Sequence, residues 1–115
     1  MSISSLHVIE FSTDRDDTKD RVVSLFENNN RGWDEIDVAQ EASGKHVITT
    51  LRRAKLYSKV SVLWDIIQDA LEFQSDFLSG DMTATVAVCW GTDHRGGWEG
   101  EIKYRLDEQG CYKAS

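Results

Sequence analysis

Lys59-Val60-Ser61-Val62-Leu63-Trp64-Asp65-Ile66-Ile67-Gln68-Asp69-Ala70-Leu71-Glu72-Phe73-Gln74-Ser75-Asp76-Phe77-Leu78 is the stretch that decides how this chain folds. Its apolar residues Leu63, Ile66, Ile67, Ala70, Leu71, Phe77 and Leu78 recur at helical spacing rather than in alternation. The spacing predicts one helix over 59–78, with Ser58 as its N-cap and Gly80 as its C-terminal stop. Such a helix is about 30 Å long, the width of a small domain. It is therefore expected to be the main element laid across a sheet.

The sheet is legible on both sides of it. Residues 6–12 (Leu-His-Val-Ile-Glu-Phe-Ser) carry the β-branched and aromatic residues of a strand. Thr13 or Asp14 can cap a first helix whose opening turn holds Asp16 and Asp17, where the helix dipole favours anions. Val22, Val23, Leu25 and Phe26 give that helix one apolar face, and Asn28-Asn29-Asn30 with Gly32 end it. Residues 33–41 and 46–51, joined by Ala42-Ser43-Gly44-Lys45, read as a hairpin. Downstream, Met82–Trp90 puts Ala84, Val86, Val88 and Trp90 on one face and the smaller Thr83, Thr85, Ala87 and Cys89 on the other. After a short loop the chain resumes as a strand over 98–106, with Glu99, Glu101, Lys103 and Arg105 on a solvated face.

The predicted order is β-α-β-β-α-β plus one C-terminal hairpin strand. That is the split βαβ, ferredoxin-like pattern: an α+β domain with an antiparallel sheet and two helices on one face. A chain of 115 residues is expected to form one such domain, residues 1–115, and to bury a single core without staples. The two cysteines, Cys89 and Cys111, do not amount to a disulfide framework. The opening residues have neither the cationic region nor the apolar run of a signal peptide, and no segment is apolar for the roughly 18 residues that a membrane crossing needs. A cytoplasmic location is expected, away from membranes.

Charge narrows the function classes. The net charge of −7 opposes direct contact with nucleic acid phosphates or anionic lipid. Charge is also segregated: residues 1–41 sum to −6, residues 42–59 to +5 and residues 60–81 to −5. The basic segment, Lys45, Arg52, Arg53, Lys55 and Lys59, is expected to answer the chain's own acidic helices or to guard a strand edge. On the long helix Asp65, Asp69, Glu72 and Asp76 fall on one side, opposite the apolar stripe, with no Lys or Arg four residues away. With Asp16, Asp17 and Asp20 they suggest an acidic ridge suited to a basic protein partner.

No nucleotide loop, nucleophile elbow or paired metal-ligand spacing occurs, so no cofactor or metal is expected. The loop Thr92-Asp93-His94-Arg95-Gly96-Gly97-Trp98 brings an imidazole between a carboxylate and a guanidinium, but sequence neighbours rarely converge on one reacting atom. As a binding loop, Asp93, Arg95 and Trp98 offer the residue types found at interface hot spots. The leading expectation is a non-enzymatic binding factor, an acidic inhibitor or immunity-type protein docking on a basic partner, such as a nucleic-acid-handling enzyme. The alternative is a dimeric ferredoxin-like small-molecule binder or enzyme that uses the 92–98 loop.

Overall fold

The computed structural model describes residues 4–28, 32–55, 59–91 and 99–114. Strand β1 (Ser4–Thr13) leads to helix α1 (Asp16–Asn28), the hairpin β2 (Glu35–Gln40) and β3 (His46–Lys55), and helix α2 (Lys59–Ala70). A single 3₁₀ turn over Leu71–Phe73 joins α2 to the short helix α3 (Gln74–Leu78). Strands β4 (Met82–Gly91), β5 (Gly100–Asp107) and β6 (Gly110–Lys113) follow. All six strands form one antiparallel sheet in the order β2-β3-β1-β4-β5-β6.

Strand β1 sits at the centre because its whole length is paired twice. Ser4 to Thr13 face Lys55 to His46 on one side and Gly91 to Met82 on the other. Its alternation then decides which face is buried: Ser5, His7, Ile9, Phe11 and Thr13 point inward. Ile48 of β3 and Met82, Ala84, Val86 and Val88 of β4 extend that apolar floor. Val22 and Phe26 of α1, Ile66, Ile67 and Ala70 of α2, and Phe77 of α3 close over it. Phe11 lies where they meet, 5.7 Å from the Phe26 ring and edge-on to Phe73 at 5.6 Å. Burying aromatic and aliphatic side chains of this size is worth about 1.5–3 kcal/mol each, so this layer dominates the stabilisation.

The backbone details follow local chemistry. Thr13 accepts a hydrogen bond from the Arg15 amide at 3.2 Å and donates to the Asp81 carbonyl at 2.8 Å, tying the entry of α1 to the segment before β4. Gly80 takes φ 81° and ends α3, as expected from the sequence. Gly100 faces Trp90 across the β4–β5 ladder, and a Cβ there would meet the indole at 2.3 Å. The lack of a side chain at Gly100 is therefore what lets Trp90 lie flat on the neighbouring strand.

Three expectations need correction. The helix over 59–78 is not continuous: the turn at Leu71–Phe73 tightens, leaving Phe73 at φ −107°, ψ 26° with its ring against Phe11. Two strands, not one, lie beyond β4, because Asp107-Glu108-Gln109-Gly110 turns the chain back and Gly110 adopts φ 113°. The complete six-strand order thus differs from a four-strand ferredoxin-type sheet. Strand β3 runs on to Lys55, four residues past the end of its pairing with β2.

Replacing Phe11 with Ala is expected to lower the unfolding free energy by about 3–5 kcal/mol in a urea titration, because three packed elements lose one shared ring.

Candidate functional site

The acidic residues singled out in the sequence do not form one free ridge. Asp76 is only 7% exposed and receives two bonds from the Arg21 guanidinium, at 2.6 and 3.1 Å. Arg21 also reaches the Thr18 hydroxyl at 3.3 Å, so α1 and α3 are clipped together by a paired charge. Asp76 is therefore held against α1 by a paired charge and is largely covered. Asp69 accepts a hydrogen bond from the Trp33 indole at 3.0 Å. Asp65 and Glu72 remain exposed on the outer side.

The carboxylates of α1 are distributed in a similar way. Asp16 meets His46 at 2.5 Å, Asp17 forms a bidentate pair with Arg15 at 3.1 Å, and Asp20 lies 2.8 Å from the Lys19 ammonium. The Arg15 bonds hold the Asp17 carboxyl below the usual range. Asp93, Arg95 and Trp98 lie outside the described residues.

A polar network runs inward from this acidic side. The Arg52 guanidinium stacks over the Trp33 ring at 4.7 Å and donates from Nε to His7 Nδ1 at 2.8 Å. Arginine has only donors, so His7 Nδ1 must carry a lone pair and the ring proton sits on Nε2. That Nε2–H donates to Ser5 Oγ at 2.9 Å, and Ser5 donates in turn to the Ala54 carbonyl at 3.1 Å. The arrangement has the members of a nucleophilic dyad in the wrong protonation state. A base for Ser5 would need a free Nε2, and a carboxylate rather than a guanidinium on Nδ1. Burial, then the Arg52 charge, pushes the His7 pKa down to about 4, against an opposing pull from Asp65. His7 is thus a neutral strut.

The outer flank of α2 is different in kind. Val60 is 79% exposed and Trp64 60% exposed, one helical turn apart. Beside them runs an apolar groove of about 430 Å³ lined by Leu63, Ile67 and Leu71, with Tyr104 of β5 and Cys111 of β6 on the far wall. The apolar residues that predict the helix do not include Val60 and Trp64. By spacing, Val60, seven residues before Ile67, continues their stripe and Trp64 falls at its margin, so the sequence alone does not mark this pair as exposed.

On the sheet face away from the helices, Cys89 is buried beneath longer neighbours and its thiol donates to Glu101 at 3.4 Å. Burial and then Glu101 push its pKa up to about 11, so little reactive thiolate forms. Cys111 is exposed, and neither cysteine is bridged. Among the described residues, no group of His, Cys, Asp and Glu is placed to hold a metal ion. No helix among them is long and apolar enough to cross a membrane.

Two measurements check this chemistry. Since the folded His7 pKa lies below its ordinary value of 6.5, its contribution to stability is complete above that pH and is lost as pH falls toward about 4. Wild type should lose up to about 3 kcal/mol over that window relative to a His7→Gln variant, read by urea titration at each pH. In the native protein a thiol reagent should label Cys111 and spare Cys89 until denaturant is added. Compared with known proteins, the chain matches no family model, no curated protein and no solved structure.

Proposed function

We propose that this chain is a non-enzymatic, cytoplasmic protein-binding factor that docks on a basic partner through the outer flank of α2. The observation that carries the reading is the exposed pair Val60 and Trp64 beside the apolar groove. Tryptophan is the residue type most enriched at interface hot spots, and leaving one in water is costly without a partner to cover it. Asp65 and Glu72 on the same helical segment would form the polar rim, meeting Lys or Arg beside the partner's apolar anchor.

Charge selects the kind of occupant. At −7 the protein repels a second copy of itself and attracts a basic surface, so the groove suits a cationic protein segment with an apolar side chain at its centre. An inhibitor or immunity-type role fits this chemistry, because covering a basic active surface is a matter of steering plus one well-seated anchor. Asp16, Asp17 and Asp20 would add long-range attraction while keeping their local pairs. We also read β1-α1-β2-β3-α2-β4 as a ferredoxin-like split βαβ unit extended by β5 and β6. Its support is the run β2-β3-β1-β4 within the larger sheet.

The test is a pull-down from native-host lysate with wild type, a Val60→Ser/Trp64→Ala variant and an Asp65→Lys/Glu72→Lys variant. Exposed positions like these should shift stability by no more than about 0.5 kcal/mol, so all three proteins should melt alike. A basic, salt-sensitive, stoichiometric partner should bind wild type and bind the apolar variant about thirtyfold more weakly. Charge reversal should slow its association. An eluate without such a partner, or equal retention by all three proteins, would contradict the proposal.

A further inference from the structure

The sheet face turned away from the helices holds a cleft of about 550 Å³, a size suited to a small molecule. Its floor is β4, where Thr85, Ala87 and Cys89 are short enough to leave the space open. Glu10 of β1 forms one bank, and Glu101, Lys103 and Arg105 of β5 with Lys113 of β6 form the other. The register fixes this arrangement: Glu10 lies opposite Thr85, which lies opposite Arg105, while Ala87 lies opposite Lys103.

The two banks do not neutralise one another. Lys103 and Arg105 lean on Glu101 and Asp107 of their own strand, at 3.5 and 3.4 Å. Glu10 has no hydrogen-bond or ion-pair partner among the described residues. Counted with Lys113, the far bank holds three cations against the carboxylates of Glu101 and Asp107, so Glu10 faces an excess of positive charge across an open trough. A simple anion would satisfy the cations and confront Glu10, and a simple cation would do the reverse. Only a ligand carrying both charges meets both banks favourably.

We propose that this cleft binds a small dipolar molecule of the β- or γ-amino acid class, with its ammonium on Glu10 and its carboxylate on Arg105 and Lys103. The span sets the length. Two strand spacings separate the Glu10 and Arg105 backbones by about 10 Å, and side chains stand roughly perpendicular to a sheet. Subtracting two charge-assisted hydrogen bonds of about 2.8 Å leaves about 4 Å between the ligand's charged groups. Glycine is too short for that gap and ε-aminocaproate too long. The cleft lies on the opposite side of the sheet from Val60 and Trp64, so the proposal stands or falls independently of partner docking.

The test is an amide-resolved NMR titration of the full chain with glycine, β-alanine, γ-aminobutyrate and ε-aminocaproate, with butyrate and butylamine as singly charged controls. Saturable shifts at the Thr85, Ala87 and Cys89 amides should be strongest for β-alanine or γ-aminobutyrate. Both controls should bind at least about tenfold more weakly. Glu10→Gln and Arg105→Gln should each lose about tenfold in affinity while the amides of the helix-covered core stay in place. The proposal is overturned by no saturable shift at about 50 mM ligand, by equal response to the controls, or by undiminished binding to Glu10→Gln.

Discussion

Everything in this molecule hangs on β1 being paired along its whole length on both sides. A strand with a two-residue side-chain period cannot slip by one position without exchanging its faces. With ten residues locked against β3 and ten against β4, Ile9 and Phe11 are committed to one side, and with them the choice of which sheet face the helices cover. The helices need no specific polar instruction to find that face, since it is the one that offers Phe11, Ile48 and Val86. The opposite face is left to water and to whatever small residues the strands place there.

That commitment also explains where the polar groups went. His7 shares a face with Ile9 and Phe11, so it must be buried, and register hands it Arg52 as its cross-strand neighbour. A neutral imidazole between a guanidinium and a serine hydroxyl is the cheapest satisfied state in that position. Arg52 reaches it while stacked on Trp33, and Trp33 bonds Asp69, so one chain of contacts links the sheet to the acidic side of α2. Arg21 and Asp76 do the same work between α1 and α3. Of the carboxylates that look like one ridge in the sequence, Asp76 clips α1 to α3, Asp69 bonds Trp33, Asp16 meets His46, and Asp17 and Asp20 pair with their neighbours Arg15 and Lys19. The outer flank of α2, with Val60 and Trp64, has no such internal use.

The elements were legible because their periods are clean. The alternation in Met82–Trp90 reached the structure with the faces expected of it, and Ile66, Ile67, Ala70 and Phe77 of the helical stripe are buried, whereas Leu78 of that stripe is 59% exposed. The break at Leu71–Phe73 was not legible, since Leu71, Phe73 and Phe77 fit a continuous helix equally well and only the position of the Phe11 ring favours the tighter turn. Strand β6 was missed because Gly110–Lys113 is too short to show a period. The candidate surfaces were harder still. The Arg52 partner of His7 and the Arg21 partner of Asp76 sit 45 and 55 residues away in the chain, and no local pattern encodes such distances.

Strand β1 is the doubly paired centre of the sheet, and amide hydrogen exchange followed by NMR tests this most directly. The slowest-exchanging amides should be those of Ile9 and Phe11 and their ladder partners, approaching the global unfolding free energy, with the edge strands β2 and β6 exchanging far sooner. Amides of β1 that exchange as fast as those of β2 or β6 would contradict the central placement and the assignment of faces built on it.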